Sequence, residues 1–218
     1  MLRFVRKYIE ELLPRDKYVS NGDKTMSFNE LKDQITTCQD CKQKFGFTPN
    51  PIFHGKERSK IMQISQAPSK KVHETGLPFN DPSGAKLKYQ WYQITDDIFY
   101  DEDNFYITAI AHCFPGKHPK GGDNPPPLAC ANKWLAREIE MVDNQLYIII
   151  GARAAKYLFP NESFEDLIFK DNTLNNKPAI VLPHPSPLNI RWFKAHPAFE
   201  EKRVPEIREI IRDVLGLT

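Results

Sequence analysis

The segment Val181-Leu182-Pro183-His184-Pro185-Ser186-Pro187-Leu188 fixes a histidine between prolines and follows it with a serine and an apolar side chain. Proline clamps its own φ and biases the preceding residue toward extended backbone. An apolar run ending this way therefore reads as a rigid loop at the end of a strand. Such a loop holds an imidazole, His184, and a wedge, Leu188, in fixed relative positions; the alternative is a purely structural proline turn. A second constellation is sulfur. Cys38 and Cys41 form a Cys-x-x-Cys able to grip one edge of a metal site, and Cys113 and Cys130 flank a proline-rich loop. In a reducing compartment this pattern points to a metal or cluster rather than to disulfides. Four thiolates suit a structural zinc or an iron–sulfur cluster equally, and free buried cysteines are the remaining possibility.

The elements that must position these groups are legible from periodicity. Residues 2–13 carry apolar side chains at helical spacing and stop at Pro14. Ser27 with Glu30 forms a capping box for a second helix to about Thr36, which delivers Cys38 and Cys41 just past its end. Four apolar runs predict strands at 61–65, 105–111, 146–151 and 179–182. Between them lie helical patterns: Ala85 to about Ile94, burying Leu87, Trp91 and Ile94; Ala129 to about Val142, burying Trp134, Leu135, Ile139 and Val142; and Ala152 to Phe159. Ser163 and Asp166 cap one more turn, and a last helix spans about Phe199 to Leu215, with a kink or restart expected at Pro205. Alternation of this kind predicts a three-layer α/β/α fold around a four-stranded parallel sheet. Residues 1–218 then form one domain with the helices of 1–36 packed on it. The loops 66–84, 112–127 and 183–197 would gather at one edge of the sheet, where such folds carry their sites.

Composition excludes little. The 218 residues are 40% hydrophobic and 27% charged, with net charge +2. No apolar run approaches the roughly 20 residues that span a bilayer. Met1 to Lys7 lacks the apolar block of a signal peptide, so a cytoplasmic protein is expected. The small net charge does not demand a nucleic-acid partner; such a claim rests on where the charges sit.

Taken in order, Cys-x-x-Cys, Ala67-Pro68, Gly76-x-Pro78-Phe79, Thr108 with Cys113-x-Pro115, Cys130 with Trp134-Leu135, and His184-Pro185-Ser186-Pro187 resemble the iron–sulfur uracil-DNA glycosylases, nearest to the branch called family five. The resemblance covers about residues 36 to 215. It implies a 4Fe-4S cluster on Cys38, Cys41, Cys113 and Cys130 rather than zinc, a uracil-DNA glycosylase-like fold, and removal of deaminated bases from DNA. By the same resemblance Gln66, Ala67 and Ser69 form the loop that approaches the base and the attacking water. Phe79 stacks on the base and His184 stabilises charge on the departing base. Ser186 pinches the DNA backbone, and Leu188 fills the space left by the flipped nucleotide.

The departures from the family are as informative. Ala67 stands where other branches carry Asp or Asn, and Gln66 where family four carries Glu. Gln66 can hydrogen-bond a water but cannot take its proton. Ala109 occupies the place of an asparagine that reads the base edge, an alanine shared with family five, so discrimination should be loose and hypoxanthine or xanthine accepted beside uracil. Ser65 and Ser69 replace glycines and narrow the approach. Asp81 is the favoured water-orienting carboxylate, weighed against a role as the cap of the following helix; His73 and Glu74 are a second polar pair in that loop. Lys70, Lys71, Lys86, Lys88, Lys117, His118, Lys120, Arg191 and Lys194 cluster on loops beside the proposed pocket, where a phosphate backbone would lie. The expected protein is a monomeric, DNA-binding glycosylase; the alternative is a glycosylase-like protein that binds damaged bases without turnover.

Overall fold

The computed structural model describes residues 26–217. The helix expected at residues 2–13 lies outside them. The centre is a sheet of β1 (Ile61–Ser65), β2 (Phe105–Ala109), β3 (Leu146–Ile150), β4 (Asn172–Leu174) and β5 (Lys177–Leu182), in spatial order β2-β1-β3-β5-β4. The strands β1, β2, β3 and β5 pair in parallel, as their near-continuous apolar runs predict for strands covered on both faces. Ile61, Met62, Ile64, Tyr106, Ile148, Ile149 and Val181 are all buried between the helical layers.

The fifth strand corrects the four-strand expectation. β4 runs antiparallel to β5, and the turn between them is Asn175-Asn176 with φ of 49° and 61°. Asparagine tolerates this left-handed backbone, which gives a tight hairpin without the glycine that usually advertises one. β5 therefore begins at Lys177, before the expected Ala179.

The capping box is present: the Ser27 side chain accepts from the Glu30 N–H, and the Glu30 carboxylate accepts from the Ser27 backbone N–H. That helix, Phe28–Thr36, buries Leu31 and Ile35 against Trp134, which ties the Cys38–Cys41 segment to the helix bearing Cys130. The helix expected from Ala85 starts earlier, at Pro82, and widens into a π-helical stretch over Lys86–Tyr92. Its expected buried face of Leu87, Trp91 and Ile94 is confirmed. In the last helical segment the irregularity precedes Pro205. A widened stretch at Phe199–Arg203 runs into Val204–Leu215, where Pro205 sits in the first turn and so removes no needed hydrogen bond. Among the described residues no helix is long and apolar enough to cross a membrane.

In the order β2-β1-β3-β5-β4 the connection after β1 runs toward β2, and the connection after β3 runs the opposite way, toward β4 and β5. A crevice therefore opens above the carboxyl ends of the strands. The residues that follow β1, β2, β3 and β5 all reach it.

Candidate active site

A cleft of about 630 Å³ lies at that edge, lined among others by Gln66, Ala67, Ser69, Phe79, Asp81 and Ala109. Lys117, His184, Ser186 and Leu188 also line it, so side chains drawn from all three expected loops meet in one cavity. Lys120 does not line it; its backbone N–H closes a local turn onto His118 Nδ1.

Local hydrogen bonds set the histidine loop. The Ser186 N–H donates to His184 Nδ1 at 3.2 Å, and Asn189 Nδ2 donates to the His184 carbonyl at 2.7 Å. The Ser186 hydroxyl accepts from the Leu188 N–H, holding the one-turn helix Pro187–Asn189. Leu188 at its tip is 91% exposed. Burial lowers the pKa of His184 below its usual value, against a smaller opposing pull from Asp81. The ring is thus neutral near pH 7. Because Nδ1 accepts, the ring proton sits on Nε2, which is left as a hydrogen-bond donor.

The opposite wall is built from a strained turn. Phe79 has φ of +54°, a left-handed backbone unusual for a bulky residue. Gly84 lies directly beneath it: a Cβ there would stand 1.8 Å from the Phe79 carbonyl oxygen. Asp81 clamps the same turn as the N-cap of Pro82–Ala85. Its Oδ1 accepts from the Gly84 N–H at 2.9 Å and its Oδ2 from the Ser69 hydroxyl at 3.3 Å. The capping role weighed for Asp81 is therefore present, although a carboxylate has lone pairs left for a water at the cleft.

The placement of several charged groups is not readable from the sequence. Arg153, just after β3, lines the cleft and has no ion-pair partner among the described residues, whereas Lys117 is held by Asp123 at 2.6 Å. Lys88, expected at a DNA-facing surface, is buried and donates to Asp96 and Tyr100. Lys86 pairs with Glu200 and sits 3.9 Å over the Phe193 ring. The cationic edge is thus smaller than the sequence suggests.

Beneath the cleft floor lies a buried polar network. Glu138 accepts from Tyr106 OH at 2.7 Å and from the Thr108 hydroxyl at 3.0 Å, and it pairs with His112 Nε2 at 3.0 Å. Burial disfavours a charge on His112, but the Glu138 carboxylate and the Cys130 sulfur outweigh it and push its pKa up to about 10.

Cys130 leads to the sulfur site. Burial raises the Cys113 thiol to about 12; a hydrogen bond from the Asn50 backbone opposes this, and the other three thiols add to it. Cys41 is likewise raised to about 11 by burial, then by Cys130 and Cys38. All four thiols thus share one neighbourhood. Yet among the described residues no three His, Cys, Asp or Glu side chains stand close enough to hold a single ion. The donor set is four thiols, Cys38, Cys41, Cys113 and Cys130.

The comparisons accord with this geometry. The model of the uracil DNA glycosylase superfamily matches residues 52–208, from the loop before β1 into the last helix. Proteins named Type-4 uracil-DNA glycosylase are similar at 24% identity over 134 residues in Sulfurisphaera tokodaii (61% of this chain, 58% of that protein), and at 27% over 130 residues in Saccharolobus solfataricus (59% and 57%). A third, from Archaeoglobus fulgidus, is 24% identical over 137 residues (61% and 64%). The match thus spans less than two thirds of each of these relatives. The family match takes in the whole sheet and every segment that lines the cleft, and on that ground the chain belongs to the uracil-DNA glycosylase superfamily.

Proposed function

We propose that this protein is a DNA glycosylase that hydrolyses the N-glycosidic bond of an extruded, deaminated base. Uracil is the first substrate and hypoxanthine and xanthine are further ones; the enzyme acts as a cytoplasmic monomer in base-excision repair. The observation that carries this is the meeting of His184, Phe79 and Leu188 at one cleft. A base inside a duplex must be rotated out before its bond is reachable, at a cost of a few kcal/mol. Stacking on Phe79 returns about 1–3 kcal/mol of that, and Leu188 occupies the vacated stack. As the bond breaks, its electron pair leaves with the base while a water oxygen bonds to the sugar carbon, and in the net reaction the proton that the water sheds ends on the base. The Nε2–H of His184 stabilises the charge developing on the base oxygen, a contribution of about 3–4 kcal/mol for a preorganised donor. Asp81 orients the water, assisted by Gln66.

Cys38, Cys41, Cys113 and Cys130 hold a 4Fe-4S cluster in this reading, with structural zinc as the alternative. Four thiols are a donor set that either group takes. When bound, the group supplies a mechanical tie between the N-terminal helix and the loop that leads to Lys117.

A second reading, binding without turnover, is favoured by one observation: both Asp81 oxygens are already engaged in the Phe79 turn. A labelled uracil-containing oligonucleotide, incubated with protein and then treated with alkali, separates the two. Strand cleavage supports the enzyme. A stable retarded complex without cleavage supports the binder and overturns the enzymatic reading.

Two further outcomes are expected at the DNA surface. Leu188→Ala removes a side chain whose burial is worth about 1.5–3 kcal/mol. It should lower kcat/KM about tenfold or more on duplex substrate and much less on single strands, with the melting temperature unchanged because the residue is exposed. Equal loss on both substrates would refute the wedge. Arg153→Gln should weaken binding similarly across sequences and flatten the slope of log K against log salt by about one, the signature of one lost phosphate contact.

A further inference from the structure

His112 stands between the sulfur site and the cleft. Its backbone N–H points at Cys130 Sγ at 3.5 Å, and its ring Nδ1 lies 3.6 Å from the same sulfur. Its ring Nε2 is fixed by Glu138 at 3.0 Å, and Glu138 in turn binds Thr108 and Tyr106 on β2. His112 and Thr108 both line the cleft, and Glu138 is fully buried. One imidazole therefore touches a thiol on one side and a wall of the cavity on the other, with a buried carboxylate holding it in orientation.

We infer that His112 is a positioning residue that donates hydrogen bonds to the Cys130 sulfur and holds that ligand against the cleft floor. This rests on the reading of the four cysteines as ligands of an iron–sulfur cluster. A sulfur bound to iron accepts hydrogen bonds and donates none. The ring Nδ1 and the backbone N–H of His112 are then the two groups placed to donate to Cys130, while Glu138 and the Thr108 hydroxyl hold the Nε2 side of the ring. Hydrogen bonds to ligand sulfurs stabilise the reduced cluster and raise its potential. Partners of this kind also hold the ligand itself, and their loss weakens metal retention about 10–100-fold.

Two isosteric replacements separate the two ends of the ring. His112→Asn places an amide where Nδ1 stood, keeping a donor for Cys130 and giving up Glu138. His112→Gln places it where Nε2 stood, keeping Glu138 and giving up the ring donor to sulfur. The full-length protein, purified without oxygen, is assayed for iron and sulfide, for its visible spectrum, for midpoint potential by reductive titration, and for the rate at which a chelator removes iron. Expected are a lower midpoint, a shifted visible band and about tenfold faster iron loss in His112→Gln, with the midpoint of His112→Asn close to wild type. Glu138→Gln, which loosens the anchor without changing volume, should move the midpoint in the same direction as His112→Gln. It carries the test if His112→Gln does not fold. A loaded wild type whose midpoint and spectrum are unmoved in His112→Gln and Glu138→Gln would overturn the inference alone. So would equal shifts in His112→Asn and His112→Gln that follow lost thermal stability, as a merely structural role predicts. A wild type free of iron and sulfide would overturn the cluster reading and the inference with it.

Discussion

His184→Ala is expected to lower kcat on a uracil-containing oligonucleotide by about 10²–10³-fold, with KM changed only a few-fold. The asymmetry follows from where the imidazole acts. In the proposed reaction its Nε2–H meets little charge in the ground state and a growing negative charge as the base departs, so its removal is felt in the chemical step rather than in binding. The ring is preorganised by the Ser186 N–H on Nδ1 and by Asn189 on its carbonyl, so almost no reorganisation is needed when charge appears. Single-turnover rates with saturating enzyme measure the step directly. A variant that turns over as fast as wild type would remove His184 from the mechanism.

The pH dependence has a definite sign. Burial lowers the His184 pKa below its ordinary value of 6.5. The neutral, Nε2–H tautomer is therefore kept to lower pH than in a free imidazole. The acid limb of the wild-type kcat profile that His184→Ala abolishes should therefore lie below the ordinary histidine value.

Much of this arrangement is written in local sequence. The parallel strands are visible because strands covered on both faces need unbroken apolar runs, and the run from Leu146 to Ile150 is one. The Ser27–Glu30 cap is visible because it is satisfied within one turn. The convergence of His184, Phe79 and Leu188 follows from a rule of topology, that loops after parallel strands share an edge, together with the family resemblance. What escaped depends on approach between distant segments. Glu138 has the spacing of an ordinary helix residue, and only its meeting with Tyr106, Thr108 and His112 makes it a buried anchor. Lys88 looks like a surface cation until Asp96 and Tyr100 close over it. Arg153 follows a strand end that carries no other polar signal. The β4–β5 turn hides because Asn-Asn does with two side chains what glycine does with none.

Gly84→Ala carries the second large effect, although Gly84 has no side chain that could take part in chemistry. A methyl group there would meet the Phe79 carbonyl at 1.8 Å, a contact with backbone that no side-chain rotation relieves. Phe79 already holds a left-handed backbone, a conformation that costs of order 1–3 kcal/mol and persists only while its surroundings enforce it. The Asp81 cap on the Gly84 N–H is part of that enforcement. The variant should therefore release the turn, swing the phenyl ring off the base, and lose most of the stacking free energy of about 1–3 kcal/mol. That corresponds to kcat/KM reduced about 5–150-fold, with a moderate drop in melting temperature. A double-mutant cycle identifies the route. If Gly84 acts through the ring, Phe79→Ala alone reproduces most of the loss, and adding Gly84→Ala to it costs little more. Full additivity of the two would mean that the glycine serves the fold and not the position of Phe79.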